Sequence, residues 1–320
     1  MRLIALFSLS FVLLGAAFAA PPAPQSGRPA LSPEARAASD ACYAIIAQGQ
    51  PEKAIPTCRE AVRLAPKSAE TQKNLGLALS DSGHFDDAVP VLREALRLDP
   101  AYDKAHNVLG VSLRDSGQSE EAITAFREAL RIDPQYPEAH RNLGWVLYLG
   151  KQYDEAAAHG RASARLSPGD PAGFHVIGCA LSAKGEMPAA IAAEKEAVRL
   201  QPGYAGYHNS LGVILMKAKD DTGAIVAFKE AIRLNPRHVR AHYELGYLYM
   251  MHKQPAEALL IMQRAAVLDP ADTAIQLNLG VALLRNGKKD EARGVLEKLT
   301  AGADKKMAAT AQKFLTDNPK

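Results

Sequence analysis

The sequence predicts an all-α solenoid of antiparallel helix hairpins that repeat every 34 residues. Three columns keep this spacing without insertion or deletion. Glycine recurs at Gly76, Gly110, Gly144, Gly178, Gly212, Gly246 and Gly280. Alanine recurs from Ala54 to Ala292, and proline recurs from Pro66 to Pro270. Such a unit cannot bury its apolar faces alone, so consecutive hairpins must stack.

Each repeat divides into two helices and a turn. In the repeat that begins at Asp103, Leu109 and Leu113 lie four residues apart, on one face of a first helix. Residues 115–117 form the turn, and an apolar stripe from residue 123 to residue 130 marks the second helix. Pro134 lacks an N–H group and disfavours helix at the residue before it, so it ends the second helix.

The small residues of a hairpin predict where its two helices meet. Gly110 and Ala122 lie about equally far from the turn, so we expect them to face each other. The first repeat has Cys42 in the glycine column, which places Ala54 opposite it and Cys58 one turn away. An oxidising compartment favours a disulfide between the two cysteines, but this register argues against the required approach. The sequence leaves the pairing open.

The amino-terminal residues have the pattern of a secretory signal. Arg2 precedes an apolar run over residues 3–14, and Ala17-Phe18-Ala19 is a small-x-small cleavage site. We therefore predict a signal peptide over residues 1–19 and a mature protein in the periplasm or secreted. The alternative is an uncleaved anchor, although the apolar run is shorter than the ~20 residues of a span.

The rest of the chain is a linker, an array and a cap. Residues 20–34 are rich in proline and alanine, and Ser32 is the predicted N-cap of the first helix. The solenoid occupies residues 35–302, with repeats that start at residues 35, 69, 103, 137, 171, 205, 239 and 273. Residues 303–316 carry one apolar helical face and predict the capping helix that a solenoid end requires.

The Leu109-Gly110 pair, the alanine column and the terminal prolines resemble the tetratricopeptide repeat family over residues 35 to about 306. The resemblance implies a right-handed superhelix of about eight units, with the first helices lining its concave face. The repeats also resemble those of the O-linked N-acetylglucosamine transferases, without the catalytic domain. One departure is position 4 of the repeat, where the family has an aromatic residue and this chain has His106, His140, His208 and His242.

The resemblance places the partner-binding surface on the first helices. Positions 5 and 6 of the repeats there hold Asn74, Asn107, Asn142, Asn209 and Asn278. These asparagines resemble the amide ladder that holds peptide backbones in the transferases, since an amide both donates and accepts hydrogen bonds. Arg141 and Trp145 lie on the same surface. The alternative is that asparagine before Leu-Gly is a common feature of the family and has no role in binding.

The seventh repeat adds an apolar group to this surface, formed by Tyr243, Tyr247, Met250 and Met251. Aromatic and methionine side chains are typical of adaptable binding grooves. The alternative is that these side chains pack one repeat against the next.

No pattern for catalysis, a cofactor or a metal is found in the sequence. It contains no phosphate loop, nucleophile elbow or paired-cysteine metal motif. Equivalent histidines in stacked helices are about 8–10 Å apart, too far to share one ion. His238 and His242 are closer but lack a third ligand, and Cys179 is interpreted as a small core residue. We expect no enzyme, no cofactor and no metal site. The alternative is a metal- or haem-handling protein that uses the histidines.

One polar residue interrupts an apolar column. Position 24 is bulky in most repeats but is Glu194 in the fifth. Because position 24 is expected to meet position 4 of the next repeat, we predict that Glu194 pairs with His208. Solvent exposure of Glu194 is the alternative.

The charge pattern points to a protein partner. The net charge is +3, or +2 without Arg2, and both signs are mixed along every repeat, which argues against nucleic acid. We predict a non-catalytic scaffold of the cell envelope that binds a peptide or protein. The alternative is an accessory subunit that recruits substrate for a separate envelope enzyme or for a secretion or glycan assembly machine. The oligomeric state and the partner stay open.

Overall fold

A computed structural model describes residues 30–302 and 304–318, all of whose regular elements are helices. The all-α solenoid class is therefore confirmed for this part of the chain. The described residues divide into two compact units, of which the first ends at Pro168 and the second begins at Gly169. The helices of unit 1 are α1 (Pro33–Ala47), α2 (Pro51–Leu64), α3 (Ala69–Asp81), α4 (Phe85–Leu98), α5 (Asp103–Asp115), α6 (Ser119–Ile132), α7 (Pro137–Leu149) and α8 (Tyr153–Leu166). Those of unit 2 are α9 (Pro171–Lys184), α10 (Met187–Leu200), α11 (Ala205–Lys217), α12 (Asp221–Leu234), α13 (Val239–Met251), α14 (Pro255–Leu268), α15 (Thr273–Arg285), α16 (Lys289–Thr300) and α17 (Lys305–Asp317).

Unit 1 is a stack of four hairpins. Each of α2, α4 and α6 packs on its own first helix and on the first helix of the next repeat. The first helices α1, α3, α5 and α7 also pack on one another in order, whereas the described second helices of this unit do not. Successive first helices are thus closer to one another than successive second helices are, as expected for the inner side of a curved stack. The predicted N-cap is confirmed, because Ser32 Oγ accepts a hydrogen bond from the Ala35 N–H at 3.2 Å.

Unit 2 repeats this arrangement and ends in a cap. Its first helices α9, α11, α13 and α15 pack in order, and α17 packs on both α15 and α16. In the cap, Ala311 is fully buried with Leu296 and Leu299, and Phe314 and Leu315 pack against this cluster. The last hairpin therefore has its open apolar side covered.

The hairpin turns share one backbone conformation. The fifteenth residue of each repeat has positive φ, for example Gly117 at 85° and Lys219 at 63°. Glycine adopts this left-handed conformation without steric cost, which explains why it stands there in five of the eight repeats.

The register within a hairpin differs from the sequence-based prediction. A Cβ atom on Gly110 would lie 2.6 Å from the ring of Phe126, so the glycine faces position 24 and not Ala122. The same relationship holds at Gly76 with Leu92, Gly212 with Phe228, Gly246 with Met262 and Gly280 with Leu296. The two helices are therefore displaced by about one turn from the expected alignment.

This register brings the two cysteines of the first repeat together. Cys42 and Cys58 form a disulfide with a Cα–Cα distance of 5.0 Å. The predicted register, in which the glycine column faces the alanine column and Cys58 lies one turn out of reach of Cys42, is therefore wrong.

The predicted pairing of Glu194 with His208 is also wrong. Glu194 contacts His175 of its own repeat, with His175 Nδ1 3.0 Å from Oε1 and 3.1 Å from Oε2. The Nε2 atom of His208 lies 2.9 Å from the carbonyl oxygen of Pro202. Position 24 faces the first helix of its own repeat, so Glu194 meets His175 and does not reach His208 in the next repeat.

The predicted signal over residues 1–19, and most of the linker, lie outside the described residues. Among the residues that are described, no helix is long and apolar enough to cross a membrane.

Candidate functional site

The predicted asparagines of unit 1 connect neighbouring repeats. Asn74 is buried, and its Nδ2 donates to Ser39 Oγ at 2.9 Å. Asn142 Nδ2 donates to Asn107 Oδ1 at 3.0 Å, and Asn107 Nδ2 donates to the Tyr136 hydroxyl at 3.3 Å. Two of these bonds join position 6 of one first helix to position 5 of the preceding first helix. The third continues from Asn107 to Tyr136. These amides therefore stabilise the stack, and only the half-buried Asn142 keeps appreciable exposure.

The last hairpin of unit 1 carries a group of aromatic side chains, formed by Trp145 and Tyr148 of α7 and Tyr153 of α8. Trp145 and Arg141 are half-buried. The Trp145 ring lies 5.3 Å from the ring of Tyr148, which in turn lies 6.0 Å from Tyr153. Leu149 beside them is exposed. Of the predicted residues of unit 1, Trp145, Arg141 and Asn142 are thus the ones that a partner could contact.

The apolar group predicted in unit 2 is only partly accessible. Tyr247 is 39% exposed and Met251, one helical turn further, is 62% exposed. Met250 is 5% exposed and lies in the core. It precedes Met251 by one residue, so its side chain is rotated by about 100° round the helix axis. Its predicted role in contacting a partner does not fit this burial. Tyr243 is half-buried under the Arg240 guanidinium, which lies 5.4 Å from the centre of its ring.

Asn278 repeats the cross-repeat bond in unit 2, since its Nδ2 donates to the Tyr243 hydroxyl at 3.1 Å. Asn209 departs from this pattern. It is 7% exposed, and its buried Oδ1 has no hydrogen-bond partner among the described residues. Asn107 accepts a hydrogen bond from Asn142, which lies 35 residues later in the chain. The residue 35 positions after Asn209 is Glu244, and its carboxylate pairs with Arg240 at 2.5 Å. A carboxylate has no N–H to offer, so Asn209 lacks the amide donor that its counterpart receives.

The surface of unit 2 also holds a depression on α10, α11 and α12. Its volume is about 710 Å³, and Val226 is exposed in its lining at 64%. Several charged side chains surround it, including Lys195, Lys229, Glu230 and Arg233. Because two of its three helices are second helices, this depression is separate from the predicted partner-binding surface.

Three of the four position-4 histidines share one structural role. The Nε2 atoms of His106, His140 and His208 each lie 2.9–3.1 Å from the carbonyl oxygen of the proline six residues before. Gln72 and Gln276 occupy the same position and donate to the equivalent proline carbonyls. A side-chain N–H at position 4 thus satisfies the backbone of the inter-repeat turn.

One cluster of ionisable side chains was missed in the sequence analysis. His175 and Glu194 are buried side by side, and Cys179 Sγ lies 3.7 Å and 3.8 Å from the two ring nitrogens of His175. Burial raises the pKa of the Glu194 carboxyl, although the neighbouring imidazole opposes the rise. The sequence signal for this cluster was Glu194, an acidic residue in the mostly apolar column at position 24. The predicted register paired Glu194 with His208, whereas its neighbour is His175.

Comparisons with known proteins agree with the observed fold. Family models described as tetratricopeptide repeat match residues 73–137, 112–171, 175–231 and 223–273, and a further one matches residues 251–313. A search of curated protein sequences found no match.

Three solved structures illustrate the similarity. A chain of the APC/C hetero-tetramer Cut9–Hcn1 is 20% identical with a TM-score of 0.68, and the match covers 76% of this chain and 48% of that chain. The present chain thus spans about half its length. A tetratricopeptide repeat protein from Parabacteroides merdae is 12% identical with a TM-score of 0.61, over 79% of this chain and 100% of that one. A thermophilic one from Thermus thermophilus is 26% identical with a TM-score of 0.50, over 57% and 99%.

Proposed function

The chain belongs to the tetratricopeptide repeat family, and from this premise we propose that it is a non-catalytic scaffold whose first helices bind a protein or peptide. Proteins with this fold typically mediate interactions between proteins. In unit 2 the proposed contact surface consists of Tyr243, Tyr247 and Met251, which we call the α13 patch. In unit 1 it consists of Arg141, Asn142 and Trp145.

The exposure of Tyr247 and Met251 carries this proposal. A first helix that served only to stack repeats would bury its large apolar side chains, yet these two remain 39% and 62% exposed on adjacent turns of α13. Tyrosine offers a rigid apolar surface with a polar tip, and methionine adapts to varied partners. Such exposed apolar groups mark interaction sites more often than isolated surface residues do.

The mixed charges favour a protein over a nucleic acid as the partner. Many charged side chains are already paired on the second helices, as in Arg97 with Glu94, Arg131 with Glu128, and Arg233 with Glu230. These pairs neutralise the basic side chains locally, which weakens the kind of continuous basic surface that phosphate recognition requires.

Export to the cell envelope is the second part of the proposal. The signal-like residues 1–19 support it, and the cross-linked Cys42 and Cys58 are consistent with an oxidising compartment. Mass measurement of the protein recovered from envelope fractions should give a chain that begins near Ala20. An intact Met1 terminus would instead indicate an uncleaved anchor.

Site-specific photo-crosslinking tests the binding surface. A photoreactive phenylalanine derivative placed at position 247 should capture the partner in intact cells. The same derivative at position 226, in the depression on α10, α11 and α12, is the matched control in unit 2. Once the partner is identified, Tyr247→Ala should weaken its binding by about 2 kcal/mol, whereas Val226→Ala should not. Capture at position 226 and not at 247 would contradict the assignment.

A further inference from the structure

The fifth repeat brings together three side chains of the types that bind metal ions. Glu194 occupies position 24, the place of a bulky apolar side chain in most other repeats. His175 and Cys179 lie one turn apart on α9, the helix that packs against Glu194. All three face a single point, with one nitrogen, sulfur or carboxylate oxygen from each within 4.8 Å of the others.

Gly178 provides the space for this cluster. A Cβ atom at Gly178 would lie 2.6 Å from Glu194 Oε2, so the carboxylate extends into the volume that a side chain would occupy. In other repeats the same volume holds a leucine, phenylalanine or methionine side chain. The fold thus replaces an apolar contact by a carboxylate aimed at His175 and Cys179, inside a core where an unpaired charge would be costly.

The distances between the donor atoms are near those of ligands around a common ion. In a tetrahedral zinc site the bond lengths of about 2.0–2.3 Å place the ligand atoms roughly 3.3–3.6 Å from one another. Here His175 Nδ1 lies 3.0 Å from Glu194 Oε1 and 3.8 Å from Cys179 Sγ. Cys179 Sγ is nearly equidistant from both ring nitrogens of His175, so its side chain must turn toward Nδ1 for the three atoms, now within 4.8 Å of one another, to bind one cation.

The donor chemistry selects the class of metal. A thiolate, an imidazole and a carboxylate together suit zinc better than magnesium or calcium, which prefer oxygen ligands. Cys179 is available for this role, because the other two cysteines, Cys42 and Cys58, are bonded to each other. We propose that His175, Cys179 and Glu194 bind one divalent cation of the zinc class.

Three protein ligands define the type of site. Structural zinc sites have four protein ligands, whereas three leave one coordination position for water or another small ligand. Glu194 and His175 are buried and Cys179 is half-buried, so the open position lies nearest the thiol. The proposed site therefore keeps one coordination position open to an exchangeable ligand.

Equilibrium dialysis of tag-free protein, first treated with a chelator, tests the proposal with Zn²⁺ as the probe. Wild-type protein should bind one Zn²⁺ per chain. Cys179→Ser and Glu194→Gln should each weaken binding by at least about tenfold, since even residues that only support metal ligands have effects of this size. His208→Gln is the matched control, because it removes a half-buried histidine from the next repeat and should leave the affinity unchanged.

Cobalt provides an independent readout. Co²⁺ bound through a thiolate should show a sulfur-to-metal charge-transfer band in wild-type protein that is absent in Cys179→Ser. Zinc should also raise the Tm of wild-type protein and not that of Cys179→Ser, because a ligand that binds the native state stabilises it. Far-ultraviolet circular dichroism of the metal-free variants checks that they are folded. Equal zinc affinity in wild-type protein and Cys179→Ser, or no stoichiometric binding to wild type, would reduce the cluster to a buried His175–Glu194 pair.

Discussion

Cys42 and Cys58 are joined across the first hairpin at the two positions that elsewhere bring a glycine against a bulky side chain. The disulfide closes a loop with a sequence separation of 16 residues. A loop of this length stabilises the native state by about 3 kcal/mol through the entropy of the unfolded chain. The double variant Cys42→Ser with Cys58→Ser should therefore lose about that amount of unfolding free energy in urea denaturation without reductant.

A second double variant separates the cross-link from the packing. Cys42→Gly with Cys58→Leu recreates the pair seen at Gly76 and Leu92. It should recover part of the lost stability, because leucine fills the volume that the two sulfur atoms occupy. If both double variants are as stable as wild type, the disulfide does not contribute to folding in solution.

The close approach at Gly110 predicts a cost for the smallest possible side chain. The Cβ atom of Gly110→Ala would lie 2.6 Å from the Phe126 ring. Overpacking of this kind costs about 1–3 kcal/mol, which outweighs the better helix propensity of alanine. Denaturation of Gly110→Ala should show this loss, and the loss should shrink in a Phe126→Ala background.

Gly294 is the matched control for this substitution. It is an exposed helical glycine, and nothing beyond its own helical neighbours lies within 4 Å of the position that a Cβ atom would take. Gly294→Ala should stabilise the chain by up to about 1 kcal/mol. Equal effects at the two glycines would mean that Gly110 and Phe126 are not in contact.

The repeat period made the fold predictable but not the register. Three columns at a spacing of 34 residues specify which residues are equivalent between repeats. They do not specify how far the second helix is displaced along the first, because that depends on how side chains interlock. The same displacement of one turn explains both the disulfide and the Glu194–His175 contact. One sequence signal was available: bulky residues fill position 24 in most repeats where glycine occupies position 8, as at Gly212 and Phe228.

The partner-binding surface was predictable only in part. Family resemblance selected the first helices, but exposure depends on single steps of about 100° round a helix. Met250 and Met251 differ by one such step, and one is buried whereas the other is exposed. Burial of Asn107 and Asn209 follows from contacts between repeats, which the period alone does not reveal.

The contact between His140 and His159 predicts a loss of stability in weak acid. Their Nδ1 atoms are 2.8 Å apart, and His140 Nε2 lies 3.1 Å from the Pro134 carbonyl oxygen. His140 therefore donates from Nε2 and accepts at Nδ1 from His159. Burial lowers the pKa of His159 from its ordinary 6.5, and His140 and Arg127 add to this, while Glu155 opposes it.

The sign of the effect follows from proton uptake. As the pH falls below 6.5, the unfolded chain binds a proton at His159 before the folded chain does, so the free energy of unfolding decreases. Urea denaturation at about pH 7.5 and at about pH 5.5, on either side of the ordinary histidine pKa, should show a larger decrease for wild-type protein than for His159→Asn, whose amide keeps a donor near Nδ1. A proton resonance titration that gives His159 a pKa above 6.5 would contradict the prediction.

The bond between Asn142 and Asn107 distinguishes a structural amide from a partner-binding one. If Asn142 Nδ2 stabilises the stack through Asn107 Oδ1, Asn142→Ala and Asn107→Ala should each lower the unfolding free energy by about 1 kcal/mol. The double variant should cost less than the sum, because both substitutions remove one shared bond. Asn209→Ala is the matched control: its Oδ1 receives no donor among the described residues, so its truncation should cost less than that of Asn107. Additive effects at Asn107 and Asn142, together with an equal cost at Asn209, would mean that the amide pair does not hold the repeats together and would leave Asn142 with partner contact as its only proposed role.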